Sequence, residues 1–136
     1  MFAHTLSEDD RLALVGTLAF LARADGELSG TEQAFIVAVS ERLNLDPRKV
    51  LASSEARTLK EILEPVTALR AKRIIIQELV NLGHADGDYC DSDKRGIRTV
   101  AALLGVDTAT VERLETWVDK GIEWTRDGVS LIEGGI

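Results

Sequence analysis

The sequence predicts an all-α fold: a single-domain bundle of about six to seven helices, made of two internally duplicated three-helix units related by pseudo-two-fold symmetry. Apolar residues recur at helical spacing, and no convincing stretch alternates polar and apolar residues as a half-buried strand would. An acidic segment, ADGELSGTE from Ala24, recurs as ADGDYCDSD from Ala85. With 136 residues, 45% hydrophobic and 4% aromatic, the chain can build one domain around an aliphatic core.

The first half of the chain contains the start signals of three helices. Ser7, followed by three acidic residues, predicts a first helix that runs to about Arg23. Ser29 predicts the start of a second helix, whose apolar residues lie on one stripe. Asp46 followed by Pro47 predicts a third, because proline loses no hydrogen bond at the first helical position.

The second half repeats this pattern after a connecting segment. A short helix is expected in EARTLKEILEPV, ending before Pro65. From about Leu69, LRAKRIIIQELVNLGH predicts a helix that ends near His84. After the second acidic turn, DSDKRGIRTVAALLG predicts another helix, and VDTATVERLETWVDKGIEW predicts a last long one capped by Asp107 or Thr108.

A shift of sixty-one residues aligns the two halves without a gap. The matched pairs are Leu18–Leu79, Leu21–Leu82, Asp25–Asp86, Gly26–Gly87, Ile36–Ile97, Val39–Val100, Leu43–Leu104, Asp46–Asp107 and Val50–Val111. The predicted repeat halves are therefore residues 7–56 and 68–124, joined by a linker at 57–67, within one domain of residues 1–136.

The acidic turns have a purely structural interpretation. Gly26 suits the left-handed position that ends a helix, and Ser29 with Glu32 forms a capping box for the next helix. In the second copy, Gly87 and Asp93 take the corresponding places. On this interpretation the turns are corners between helices.

A functional interpretation starts from a shared order of residues in the two segments. Asp and Gly are followed by any residue and then by an apolar one, and an acidic residue comes four positions after the apolar one. This order matches the second part of a calcium-binding EF-hand loop, with Asp25 and Asp86 as its fifth residue and Glu32 and Asp93 as its twelfth. The first and third positions lack oxygen ligands: they are occupied by Leu21 and Arg23 in one copy and by Leu82 and His84 in the other. Neither turn is an EF-hand, so a metal would need water ligands or both turns together.

A softer metal or a catalytic site has less support. His84 and Cys90 alone do not make a zinc set, and His84 suits the C-terminal end of a helix as a favourable cation. Cys90 could pair with His84 as an activated nucleophile, but no further catalytic residues accompany them. We therefore expect no enzyme.

Charge and composition narrow the classes of partner. The net charge is −7 and the pI is about 4.8, which disfavours nucleic acids and anionic membranes and favours cations or basic protein surfaces. No secretory signal is expected at the N-terminus, and the longest apolar-rich segment, Leu12 to Ala22, is too short to span a bilayer. We expect a cytoplasmic protein that does not insert into membranes and that has a protein partner of unknown identity.

With these turns and helices, the sequence resembles the tellurite-resistance TerB family. The resemblance lies in LARADGELSGTEQAFIVAVSERLNLD and in NLGHADGDYCDSDKRGIRTVAALLGVD, and it extends roughly from Ser7 to Trp124. Members of that family are all-helical and duplicated, with an ADG-then-acid turn after the first helix and again after the middle one.

The resemblance implies a non-enzymatic, cytoplasmic domain of the response to tellurite and other chemical stress, proposed to bind metal ions. The residues that match the acidic positions of the family motif are Asp25, Glu32, Asp86 and Asp93. The resemblance implies that they bind a divalent metal ion, whose identity is open. Two departures weaken the second copy: Asp93 is shorter than glutamate, and Cys90 replaces the hydroxyl residue expected at a helix cap. The alternative is a protein-interaction adaptor that uses its acidic surface without a metal.

Overall fold

The computed structural model describes residues 2–24, 26–85 and 89–134. These residues form a short 3₁₀ turn, Ala3–Thr5, and seven α-helices, and they contain no strand. In order the helices are α1 Glu8–Arg23, α2 Gly30–Arg42, α3 Pro47–Ala56, α4 Leu59–Leu63, α5 Leu69–Ala85, α6 Asp91–Leu104 and α7 Thr108–Ile132. The all-α prediction is confirmed.

Side-chain caps begin the helices where the sequence predicts them. The hydroxyl of Ser7 accepts a hydrogen bond from the backbone N–H of Asp10 at 3.1 Å. Asp46 caps α3, with Pro47 as the first helical residue, and Asp107 caps α7. The short helix α4 ends before Pro65, as expected.

The last helix is longer than the sequence analysis expected. We predicted a helix from Asp107 or Thr108 to about Trp124, but α7 continues to Ile132. The additional residues contain no proline, and the isolated Gly128 weakens a helix without ending it. Helix α7 therefore extends eight residues beyond Trp124.

The core lies between α1 and α5. Helix α1 packs against α2, α3, α4 and α5, while α5 packs against α1, α6 and α7. The central side chains of these two helices are fully buried: Leu14, Val15 and Ala19 from α1, and Ile75, Ile76 and Val80 from α5.

The helix order agrees with the sixty-one-residue register. Helices α1 and α5 begin sixty-one residues apart, as do α2 and α6, and α3 and α7. In each set of three, the first helix packs against the second and the third. The superposition of the two units about a pseudo-two-fold axis stays a prediction, as do the single-domain assignment and its repeat boundaries.

Candidate functional site

Described residues from both acidic segments line one groove of the bundle. This groove has a volume of about 570 Å³ and lies where α1 and α5 end and where α2 and α6 begin. Its lining includes Glu32 from the first copy and Asp93 from the second, together with Leu21 and Leu82, which precede the two turns. Two segments that are far apart in sequence thus contribute to one surface feature.

Glu32 closes the first turn by capping α2. Its Oε1 accepts a hydrogen bond from the backbone N–H of Ser29 at 3.0 Å, and its own N–H donates to the Ser29 hydroxyl at 3.1 Å. Gly26 has a φ of +131°, a conformation that side-chain-bearing residues rarely adopt, although it differs from the usual left-handed helical value. The predicted capping box is confirmed, and Gly26 makes the turn that precedes it.

Asp93 closes the second turn by capping α6. Its Oδ2 accepts hydrogen bonds from the backbone N–H of Cys90 at 3.2 Å and from the Cys90 thiol at 3.4 Å. Cys90 is the N-cap residue, so the helix begins at Asp91. The shorter carboxylate of Asp93 therefore reaches the same backbone position in its turn as Glu32 does in the first.

The other two predicted metal ligands, Asp25 and Asp86, lie outside the described residues, as does Gly87. Across residues 2–24, 26–85 and 89–134, no group of three or more His, Cys, Asp or Glu side chains is arranged to hold a metal ion. Glu32 and Asp93 share the groove but act as helix caps. The set of four acids as a metal site stays a prediction.

The basic residues at the ends of α1 and α5 engage the third helix of their own units. Nη1 of Arg23 lies 3.4 Å from Oε1 of Glu55 on α3. His84 occupies the matching position in the sixty-one-residue register, and its Nε2 lies 3.0 Å from Oδ1 of Asp119 on α7. As predicted, His84 lies in the last turn of α5. Arg23 and His84 thus both have carboxylate neighbours outside the turns.

A polar network that the sequence analysis did not identify ties the second turn to α7. The Tyr89 hydroxyl donates a hydrogen bond to Oε2 of Glu115 at 2.6 Å, and Arg98 Nη2 donates to Oε1 of the same carboxylate at 2.8 Å. The Tyr89 ring also lies against the imidazole of His84, with a centroid distance of 4.8 Å, and beneath the Lys94 ammonium at 5.6 Å.

Charge and burial shift the pKa values of this network in opposite directions. Burial, together with the hydrogen bond to Glu115, raises the pKa of Tyr89 well above its usual value, so its hydroxyl remains a donor. Burial alone would raise the pKa of Glu115, but the hydrogen bonds from Arg98 and Tyr89 outweigh it and lower that pKa. Glu115 is therefore held as a carboxylate between two donors.

Gly83 makes room for the Tyr89 ring. A Cβ at position 83 would lie 2.9 Å from Cδ1 of Tyr89, a separation that packed atoms do not tolerate. In the first copy the position that matches Tyr89 is Leu28, which packs against the core as a partly buried apolar residue. The two copies share a capping box, but Leu28 makes apolar contacts whereas Tyr89 also donates a hydrogen bond to Glu115.

The thiol and imidazole considered for catalysis have separate partners. Cys90 donates its thiol hydrogen to Asp93, while the nearest acid to His84 Nε2 is Asp119. A nucleophile–base pair needs a direct hydrogen bond between the two groups. The described contacts of Cys90 and His84 place these groups in two different interactions.

Comparison with known proteins gives a family match for the first part of the chain. The family model described as "Tellurite resistance protein TerB" matches residues 1–54. No curated protein and no solved structure matches the chain. The matched residues include α1, the first acidic turn and α2, and they end within α3; the second half lies outside the match. The match confirms the resemblance found in the sequence over residues 1–54, and this part of the chain is similar to a TerB domain.

Proposed function

We propose that this chain is a non-enzymatic, cytoplasmic stress-response domain related to tellurite resistance, and that it binds a divalent metal ion between its two acidic turns. The ligands would come from Asp25, Glu32, Asp86 and Asp93. The observation that carries the proposal is the shared groove, because Glu32 and Asp93 line it together although they belong to different turns.

The chemistry of the two caps leaves acceptor capacity for a cation. Glu32 uses Oε1 in its cap and Asp93 uses Oδ2, so each cap occupies one oxygen of its carboxylate. Oxygen ligands from carboxylates and water are those that Ca²⁺ and Mg²⁺ prefer. Two carboxylates from the caps and two from the preceding turn residues would form an incomplete shell that water completes. Such a site is expected to bind weakly.

The neighbouring charges also support a cation at this end of the bundle. Arg23 and His84, the basic residues nearest the turns on α1 and α5, have Glu55 and Asp119 as neighbours. Arg95 is the cationic residue in the groove lining, and it opposes the binding of a metal. This opposing charge is a second reason to expect modest affinity.

A protein-interaction adaptor is the second candidate function. The specific observation that favours it is the apolar part of the groove lining, which includes Leu18, Leu21, Phe35 and Leu82. A partner segment with apolar residues on one face and basic residues beside them could bury the former in the groove and pair the latter with Glu32 or Asp93. On this hypothesis no metal is required.

Calorimetric titration separates the two candidates. Ca²⁺, Mg²⁺, Mn²⁺ and Zn²⁺ would be titrated into the wild-type chain and into the double variant Asp25→Asn with Asp86→Asn. A saturable heat of metal binding that the wild type shows and the double variant does not show supports the metal site. The matched control is Glu41→Gln with Glu123→Gln, which removes the same charge at exposed positions outside the groove lining and should keep the heat.

Absence of heat for all four ions would exclude the metal site. Capture of a partner that is unchanged by a chelator and lost on charge reversal at Glu32 and Asp93 would then support the adaptor. The relation to tellurite resistance has its own test: deletion of the gene should lower the tellurite concentration at which the cells grow, and the wild-type gene should restore it.

A further inference from the structure

The C-terminal part of α7 extends past the bundle and exposes large apolar side chains. Trp124 is 79% exposed, Leu131 is 73% exposed and Ile132 is 87% exposed. The buried side chains of α7, Val111 and Val118, both lie in the preceding part of the helix. Contiguous exposed apolar surface of this kind is typical of an interaction site.

The exposed residues follow a seven-residue spacing. Trp117, Trp124 and Leu131 form one row along α7, while Gly121 and Gly128 form a second row, each glycine four positions after a tryptophan. Rows with these spacings are the a and d positions of a coiled coil and lie on one face of a helix. In this helix one row is large and the other has no side chains.

The two glycines have no explanation within the chain. A Cβ at Gly121 or at Gly128 would meet no described atom within 4 Å, and neither residue has a positive φ. Glycine inside a helix costs about 1 kcal/mol relative to alanine. By contrast, Gly83 and Gly16 each lie against a side chain of another element. If these glycines serve packing, their close neighbour therefore lies outside the described residues of this chain.

We propose that this face of α7 pairs with the same face of a second copy in an antiparallel helix pair. With the two-fold axis between Gly121 and Trp124, Trp124 of each copy lies over Gly121 of the other, and Trp117 of each lies over Gly128 of the other. Each tryptophan then fits against a glycine of the other copy, and Leu131 of each copy lies opposite Leu114 of the other. A parallel pair would instead place tryptophan against tryptophan and glycine against glycine, so that layers would be alternately crowded and empty.

The charges beside the tryptophan row agree with the antiparallel arrangement. Lys120 and Asp127 lie seven residues apart on the same side of that row. In the antiparallel pair Lys120 of each copy lies near Asp127 of the other, so that two opposite-charge pairs flank the apolar seam. The arrangement is self-complementary in shape and in charge, which is what a two-fold interface requires.

The exposed area is sufficient for a weak dimer. The exposed parts of the four large side chains, Trp117, Trp124, Leu131 and Ile132, offer roughly 600 Å² on each copy, given about 250 Å² for a tryptophan. Two copies would bury about 1,200 Å², the lower limit of specific interfaces. We therefore expect a dimer that dissociates on dilution.

Sedimentation velocity on the whole chain, from about 1 µM to about 1 mM, tests the proposal. The wild type should shift from monomer to dimer across this range. Trp124→Ala should weaken the dimer at least tenfold by removing a large side chain. Gly128→Gln should do the same by filling the space opposite Trp117, although glutamine is the better helix former. Far-UV circular dichroism should show that the variants keep their helices.

Ser130→Gln is the matched control, because it introduces the same residue two positions after Gly128, at an exposed position on the opposite face of the helix. It should leave the dimer unchanged. A wild type that is monomeric at all concentrations would overturn the proposal, and so would a dimer that Gly128→Gln and Trp124→Ala leave intact. Co-sedimentation of a monomeric wild type with phosphatidylcholine–phosphatidylglycerol vesicles, lost in Trp124→Ala, would assign the face to a membrane and also overturn it.

Discussion

The Tyr89 hydroxyl lies 2.6 Å from Oε2 of Glu115, and this hydrogen bond connects the second acidic turn to α7. The same carboxylate accepts from Arg98 on α6, so three segments meet at one side chain. The groove at this end of the bundle includes residues on either side of Tyr89, such as Gly83 and Cys90. The position of the second turn beside the groove therefore depends on a contact with a helix that does not itself line the groove.

Tyr89→Phe tests this connection. The variant keeps the ring packing but removes the donor from a charged, partly buried acceptor, and we expect a loss of roughly 1–3 kcal/mol in the free energy of unfolding. Urea denaturation followed by circular dichroism measures it. The double variant with Glu115→Gln should lose less than the sum of the two single losses, because the two residues share one interaction. Strictly additive losses would show that Tyr89 and Glu115 stabilise the fold independently.

The contribution of Glu115 should depend on pH. Its pKa is lower in the folded state, because the hydrogen bonds from Arg98 and Tyr89 outweigh the effect of burial. An acid of this kind stabilises the fold above its unfolded pKa, about 4.3, and loses the contribution as the pH falls through the folded pKa. We expect Glu115→Gln to be destabilised by roughly 1–3 kcal/mol at pH 7 and the difference from wild type to shrink below about pH 4.

Urea unfolding between about pH 7 and pH 2.5 measures the free energy of unfolding of the wild type and of Glu115→Gln as a function of pH. Glu123→Gln, at an exposed position on the same helix, is the control and should follow the wild type throughout. A difference for Glu115→Gln that stays constant down to the lowest pH would contradict the assigned direction of the pKa shift.

Gly83→Ala should destabilise the protein even though alanine is the better helix former. The added Cβ would lie 2.9 Å from the Tyr89 ring, and the displaced ring would strain its hydrogen bond to Glu115. Overpacking of this kind costs about 1–3 kcal/mol and exceeds the gain of about 1 kcal/mol in helix propensity. Gly121→Ala, in dilute solution, is the matched control and should be neutral or stabilising, since a Cβ there meets no described atom. Equal effects at both positions would mean that the ring adapts without cost.

Loss of a helix cap should destabilise the protein less than loss of a buried core side chain. Ser29→Ala removes the acceptor for the Glu32 N–H and should cost about 1 kcal/mol. Leu104→Ala empties a buried position, 5% exposed, and should cost roughly 2–5 kcal/mol. Thermal and urea unfolding of both variants measure the difference. Losses of equal size would give Ser29 a function beyond capping.

The helix starts could be predicted because each depends on neighbours in sequence. The box formed by Ser29 and Glu32 spans three residues, and so does the contact between Cys90 and Asp93. The contact between Tyr89 and Glu115 spans 26 residues and joins a turn to a separate helix, so local sequence patterns do not reveal it.

Helix α7 also shows the difference between features that depend on the local sequence and features that depend on the packing of distant helices. Between Trp124 and Ile132 the chain has no proline, and Gly128 alone does not end the helix, but the end of the second repeat was predicted at residue 124. The exposure of this last part could not be predicted, because the apolar spacing of Trp117, Trp124 and Leu131 is also that of a core face. Whether a periodic apolar row is covered depends on which helices pack beside it.

The last prediction concerns the acids that precede the two glycines of the turns. If the turns are only corners, Asp25→Asn with Asp86→Asn should change stability by less than about 0.5 kcal/mol, as ordinary surface substitutions do. It should even relieve repulsion in a chain of net charge −7. If the acids hold a cation, a metal at a hundredfold excess over its Kd stabilises the wild type by about 2.7 kcal/mol, and the double variant should lose this gain.

Thermal melts of both proteins, with EDTA and with millimolar divalent ions, distinguish these outcomes. A wild-type melting temperature that is the same under both conditions would exclude the metal site, and the groove would then be left to a protein partner.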